Sequence, residues 1–352
     1  MSRKLSLGVL ALAAVLAGCS EDKVRRTLPP GMRVDTFAQV AVGKVDVLFV
    51  IDSSPSTEDK QANLARNFQG FFSYLQQAKV DYHIAVTTMD VDSVGPGRQG
   101  ALFGTPAVIT PETPKPLEAF SANATVGTEG SSLEKGLDAA RRTLQLNPAG
   151  FLRPDASLYL VFVSDDEDHS EPAVPRQFYR YFESIKGKGN EGMISAGAIV
   201  GDLPDGCYTP AGGQARPANR YRELVGLVGG RTGSVCDSEF GATLNELGVD
   251  AAGLKRKWAL GKAPDVASLV VTVTYPCTTS KATLDLVCSQ QVAACSGSAG
   301  SVACTVRPKP ETGPDGWTFE PSTNSVFFGG ASLPSKGAVI EFTYYEEGQT
   351  PK

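Results

Sequence analysis

Asp52, Ser54 and Ser56 form the pattern D-x-S-x-S directly after the apolar run Val47-Leu48-Phe49-Val50-Ile51. A tight loop can aim one carboxylate and two hydroxyls at a single point. Hard oxygen donors of this kind suit Mg²⁺ or Mn²⁺, with Ca²⁺ as a third candidate, rather than thiophilic metals. A second oxygen cluster, Asp165-Asp166-Glu167-Asp168, follows another apolar run, "LYLVFVS" at 158–164. Helix capping is the plainer use of such residues, and Ser56 suits it for a helix beginning near Thr57. Capping alone does not explain why two acidic clusters follow two separate apolar runs.

Positioning these residues requires particular elements. "VDVLFVI" (45–51) is a nearly continuous, β-branched apolar run, the pattern of a strand buried on both faces of a parallel sheet. Leu64, Phe68, Phe71, Phe72 and Leu75 then make one stripe of an amphipathic helix. "DYHIAVTTM" (81–89) reads as a second strand, followed by a Gly/Pro-rich excursion at 92–116. Leu133, Leu137, Ala140 and Leu144 mark the next helix, and 158–164 the next buried strand. A helix near 174–186, a strand at 193–200, a cysteine-bearing loop and helices near 219–229 and 240–257 continue the alternation. The expected fold is α/β, a doubly wound, mostly parallel sheet with helices on both faces. Ligands of such sheets bind beyond the carboxyl ends of the strands, where Asp52 and Asp165 fall. Beyond Gly261, strand-like segments at 268–277, 324–330 and 338–346 without helical periodicity predict a small all-β module.

The D-x-S-x-S loop after the first strand, with an acidic residue after a later one, resembles the metal-ion-dependent adhesion site of von Willebrand factor type A domains. The resemblance covers about residues 45–257 and includes the strand and helix order. It implies a divalent cation held by Asp52, Ser54, Ser56 and Asp165. The family's middle ligand is a threonine five residues before an Ala-Leu or Gly-Leu. At that distance from Gly136 stands Ser131, preceded by Gly130; Thr128 has the family's chemistry but lies three residues earlier. Both stay candidates, with Ser131 first. The family's "TDG" is altered here to Ser164-Asp165-Asp166-Glu167-Asp168, and the added carboxylates are expected as a solvated charge run rather than a second cation site. His169 is expected as a hydrogen-bonded loop residue. These variants, with "RYRELVGLVGGRTGSVCDSEFGATL" and the terminal "NSVFFGGASLPSKGAVIEFTYYE", look similar to bacterial lipoproteins of this family.

The N-terminus agrees with an exported chain. Arg3 and Lys4 precede the apolar run "LSLGVLALAAVLAG", too short to span a bilayer and built like a secretion signal. Leu16-Ala17-Gly18-Cys19 resembles a lipobox, which implies cleavage before a lipidated Cys19. Ser20 after the cysteine favours the bacterial outer membrane within that resemblance. The expected organisation is a signal peptide at 1–18, a polar tether at 19–44, a von Willebrand A-like domain at 45–260 and a β module at 263–352.

Six further cysteines, Cys207, Cys236, Cys277, Cys288, Cys295 and Cys304, form an even set in an exported chain and predict disulfides. The economical pairing is Cys207 with Cys236, plus two bridges among the other four. No CxxC pair occurs and neither histidine is near these cysteines, which argues against zinc. A net charge of −5 offers no basic stripe for nucleic acid.

The resemblance implies a non-enzymatic binding or adhesion protein whose partner supplies a Glu or Asp carboxylate to the cation. The alternative is a metal-dependent phosphatase-like hydrolase with Asp52 as nucleophile. That chemistry normally wants D-x-D, and Ser54 stands at the second position. A purely structural envelope lipoprotein is the third reading.

Overall fold

The structure, a computed structural model, describes residues 28–187, 193–210, 213–275, 292–296, 303–307, 316–328 and 332–349. Along the chain come β1 (Met32–Ala38), β2 (Lys44–Ile51), α1 (Glu58–Gln77), β3 (Asp81–Thr88), β4 (Phe103–Ile109), α2 (Pro116–Ala124) and α3 (Gly136–Leu146). Next are β5 (Ser157–Ser164), α4 (Pro175–Ile185), β6 (Ile194–Val200), β7 (Cys207–Thr209), β8 (Gly213–Ala215), α5 (Asn219–Leu227), β9 (Arg231–Ser234) and α6 (Gly241–Ala251). The rest is strand-rich: β10 (Lys257–Ala259), β11 (Val270–Tyr275), β12 (Val292–Ser296), β13 (Ala303–Arg307), β14 (Trp317–Glu320), β15 (Ser325–Phe328) and β16 (Val339–Tyr345).

A six-stranded sheet has the order β4-β3-β2-β5-β6-β9. β3, β2, β5, β6 and β9 run parallel, and β4 is antiparallel on the β3 edge. Side chains alternate faces along a strand, so β2 feeds both layers. Val45, Val47, Phe49 and Ile51 pack with Phe68, Phe71 and Phe72 of α1 and with residues of α2 and α6. Leu48 and Val50 pack with residues of α3, α4 and α5 on the opposite face. Phe49 touches Phe68, Phe71 and Phe120, so an aromatic cluster fixes α1 and α2 over the centre of the sheet.

The antiparallel sheets are β1-β16-β11-β13-β12, β10-β15-β14 and the hairpin β7-β8. The apolar cluster under α1 and α6 runs on into Trp258, Val271, Phe328 and Phe342 of the first two.

Several expectations change. Residues 32–38, expected within a tether, form a strand paired with β16, because Val34, Thr36 and Phe37 suit a half-buried edge. The excursion at 92–116 contains β4, whose Gly104 and Pro106 hid it; an edge strand tolerates proline. The helix expected from Leu133 begins at Gly136 and leaves Leu133 exposed. α6 ends at Ala251, short of 257, with Gly253 at positive φ just beyond it. Cys207 and Cys236 form the expected disulfide. Cys19, Cys277 and Cys288, and the side chains of Cys295 and Cys304, lie outside the described residues. Among the described residues no helix is long and apolar enough to cross a membrane.

At the amino end of β2, Asp46 is fully buried. Its Oδ2 accepts from the Arg153 backbone N–H at 2.7 Å and its Oδ1 from Arg153 Nε at 2.7 Å. Lys186 Nζ lies 3.8 Å away. Burial still pushes the Asp46 carboxyl above its ordinary range despite the arginine. Arg153→Met strands part of that charge and is expected to cost about 3 kcal/mol of unfolding free energy in urea titrations. A loss below about 1 kcal/mol would mean Lys186 alone suffices.

Candidate metal centre

β2 is the central branch point of the sheet: the chain leaves it for β3 on one side and returns to β5 on the other. The carboxyl ends of β2 and β5 therefore flank the crevice at which doubly wound sheets place ligands. Asp52 follows β2 and Asp165 follows β5, and the Asp52 N–H donates to Val163 O at 2.9 Å across the pair.

Asp52 is 1% exposed. Its Oδ1 accepts from the Ser54 N–H at 2.8 Å, an Asx turn, and its Oδ2 accepts from Ser164 Oγ at 2.7 Å. Ser54 Oγ and Ser56 Oγ are 3.2 Å apart, and Ser56 Oγ donates to Asp165 Oδ1 at 3.1 Å. Thr57 Oγ1 and Gln61 Nε2 brace the loop from below by donating to Asp52 O at 3.1 and 3.0 Å. Capping does not account for these hydroxyls: the N-cap residue of α1 is Thr57, and its side chain makes no capping hydrogen bond. The structure therefore brings together Asp52, Ser54, Ser56 and Asp165.

It does not bring the middle hydroxyl. Ser131 Oγ turns back on its own loop, accepting from the Leu133 N–H at 3.0 Å, while its backbone N–H donates to Asp90 Oδ2 at 3.2 Å. Thr128 makes no hydrogen bond to the cluster among the described residues. Glu134 enters instead. It is 1% exposed and its carboxyl lies against that of Asp52. The sequence reading missed it, because a glutamate just before a helix is ordinarily a solvated first-turn residue. Gly130 lets this loop close on the site: its N–H donates to Ser53 O at 2.8 Å, and a Cβ there would collide with Ser53.

The acidic run 165–168 is not solvated as expected. Glu167 accepts from the Asn219 and Arg220 N–H groups at 2.9 and 3.0 Å, which caps α5. Asp168 is buried, accepts from the Leu137 N–H at 3.1 Å and pairs with Arg220 at 3.2 Å. Asp166 faces Arg216 at 3.2 Å. Glu167 and Asp168 secure the starts of α5 and α3, and Asp166 holds the segment leading into α5, which leaves Asp165 to the site. The His169 N–H donates to Glu134 O at 2.6 Å and so positions the Glu134 backbone.

Charge is poorly compensated within the cluster. Burial, then repulsion from Asp52, pushes Asp165 up to about 6. Burial, then Asp52 and Asp165, pushes Glu134 up to about 10. Asp52 is also raised by burial. Asp165 Oδ2, Glu134 Oε1 and Ser53 Oγ are buried without a hydrogen-bond partner. Buried orphan oxygens of this kind call for an ion or water. Among the described residues no three His, Cys, Asp or Glu side chains are grouped to hold a metal ion, so a cation here would draw on hydroxyl oxygens as well as carboxylates. The donor set fits Mg²⁺, Mn²⁺ or Ca²⁺ on that basis. Beside Ser56 opens a groove of about 590 Å³, lined by Glu58, Asp59, Asn63, Arg66 and Asp237.

No family model matches the chain, and no curated protein matches it. Among solved structures, the pilus adhesin SpaC from Lactobacillus rhamnosus GG in its open conformation is 13% identical, with a TM-score of 0.41. The match covers 92% of this chain and 42% of SpaC, so the chain spans less than half of that protein's length. Another crystal structure of SpaC gives 12% identity, 90% and 41% coverage and a TM-score of 0.41. Proximal thread matrix protein 1 from the mussel byssus is 12% identical over 62% of this chain and 47% of its own, with a TM-score of 0.33. Similarity at this level decides neither fold nor function.

The raised acids give a pH signature. A carboxyl whose folded pKa exceeds its unfolded value holds protons more tightly in the folded state, so stability falls as pH rises between the two values. In chelator, unfolding temperature is expected to fall from about pH 4 upward, with the Asp165 contribution complete near 6 and the Glu134 contribution continuing toward 10. Glu134→Gln should flatten the branch above pH 6 in thermal scans; an unchanged slope would remove Glu134 from the cluster.

Proposed function

We propose that the protein is an exported, lipid-anchored binding protein of the von Willebrand A type that grips a protein partner through a divalent cation. The observation that carries this reading is the convergence of Asp52, Ser54, Ser56 and Asp165 at the branch point of a parallel sheet, with buried carboxylate oxygens left unpartnered. Mg²⁺ or Mn²⁺ is the expected ion, with Ca²⁺ next, held by the hydroxyls of Ser54 and Ser56 and by the carboxylates of Asp52 and Asp165. Glu134 lies buried against Asp52 beside that ligand set. A partner's Glu or Asp carboxylate would fill a remaining coordination position, and the groove beside Ser56 offers room for the flanking segment.

In this reading residues 45–260 form the cation-binding domain, and 263–352 with the 32–38 strand form the β module. Cys19 supplies a lipid anchor at the outer membrane. Hydrolysis is the weaker reading. A nucleophilic aspartate needs an oxygen open to substrate, whereas Asp52 is 1% exposed and both its oxygens are engaged by Ser54 and Ser164.

Ligand that binds only the folded state raises stability by mass action, about 2.7 kcal/mol at a hundredfold excess over Kd. Mn²⁺ titration is therefore expected to raise the unfolding temperature of wild type and not of Asp52→Ala. Beads carrying wild-type protein should adhere to a polyglutamate surface in Mg²⁺ or Mn²⁺, and lose adhesion in chelator or with Asp52→Ala. Phosphate-ester turnover abolished by Asp52→Ala would instead establish the hydrolase.

A further inference from the structure

We propose that Lys60 is the resident counter-ion of this site and that its ammonium, by competing for Asp165, sets how tightly a divalent cation is held. The inference rests on the reading of Asp52, Ser54, Ser56 and Asp165 as a cation site. Lys60 is the third residue of α1 and is 5% exposed. Its Nζ lies 3.7 Å from Asp165 Oδ2, the oxygen that no hydrogen-bond donor reaches. The same Nζ is 2.9 Å from Asp59 Oδ1 and donates to Ser56 O at 3.2 Å.

This arrangement has two consequences. A cation arriving at Asp165 meets a fixed positive charge a few ångströms away, in a setting where water screens little. Lys60 nevertheless need not be stranded when it gives up Asp165, because Asp59 and the Ser56 carbonyl already hold it. The ammonium is closed in on one side, while Lys60 also lines the groove beside Ser56. Gly213 of the β7-β8 hairpin packs against it so closely that a Cβ there would come within 2.8 Å of Nζ, and the disulfide Cys207–Cys236 ties that hairpin down. Lys60 therefore acts as a tethered cation that partly neutralises the buried carboxylates when the site is free of metal. It opposes metal when metal arrives, which suits a site that exchanges its ion rather than one filled permanently.

The test is calorimetric titration of Mn²⁺ into the whole chain as wild type, Lys60→Met, Lys60→Arg and Asp52→Ala. Lys60→Met is expected to bind Mn²⁺ about tenfold more tightly than wild type, and Lys60→Arg to stay within about threefold of it. Asp52→Ala should lose binding. Thermal unfolding supplies a second readout that packing alone would not move: Lys60→Met should unfold below wild type in chelator and at or above it in saturating Mn²⁺. If wild type binds and Asp52→Ala does not, but Lys60→Met binds no tighter, the counter-ion role is overturned while the cation site stands. Lys60→Arg binding as tightly as Lys60→Met would also overturn it, since charge would not be the cause. Absence of Mn²⁺ binding in all four proteins would overturn the cation reading and this inference together.

Discussion

The burial of carboxylates at the carboxyl ends of β2 and β5 is the constraint around which the upper edge of the molecule is arranged. Asp52, Glu134 and Asp165 are each at most 7% exposed. Their mutual repulsion and lost hydration oppose folding. What offsets the cost is local: the Ser54 N–H and Ser164 hydroxyl on Asp52, the Ser56 hydroxyl on Asp165, and the Lys60 ammonium nearby. The compensation stops short, since Asp165 Oδ2 and Glu134 Oε1 are left without donors. The divalent cation proposed for this site would meet that deficit.

The surrounding loops hold this unfavourable cluster in place. Asp90 gathers them: its Oδ1 accepts from the Asp92 and Ser93 N–H groups at 3.1 and 3.0 Å, and its Oδ2 from the Ser131 N–H. Lys135 pairs with Asp92 at 2.7 Å, tying the 130–135 loop to the loop after β3. Arg220 joins α5 to Asp168, whose carboxylate also receives the start of α3. The Arg216 N–H donates to Asp165 O at 2.8 Å, so the segment leaving β8 fixes the fourth loop. Each contact is ordinary, and together they fix a geometry that the site's own electrostatics would disperse.

Much of the sheet was legible because parallel strands buried on both faces leave continuous apolar runs, as at 45–51 and 158–164. Short or edge elements were not. β4 carries Gly104 and Pro106, β9 is the four residues Arg231–Ser234, and β1 reads as polar linker until β16 pairs with it. At the site, Asp52, Ser54, Ser56 and Asp165 could be named from spacing because strand ends dictate where they point. Glu134 could not, since its burial depends on the path of a loop closed by Gly130. The Glu167 and Asp168 carboxylates misled in the other direction, because composition does not tell a solvated acidic run from one spent on helix N-termini. Nothing in the sequence singles out Lys60, whose burial involves a hairpin more than 140 residues away in sequence.

The central claim is that a cation belongs between Asp52, Ser54, Ser56 and Asp165. Anomalous diffraction from crystals grown with Mn²⁺ tests it most directly. The account predicts one strong anomalous peak within about 2.0–2.6 Å of oxygens from the Ser54 and Ser56 hydroxyls and at least one of the Asp52, Glu134 and Asp165 carboxylates. A map with no peak there, with Asp165 and Glu134 bridged by ordered water alone, would contradict it.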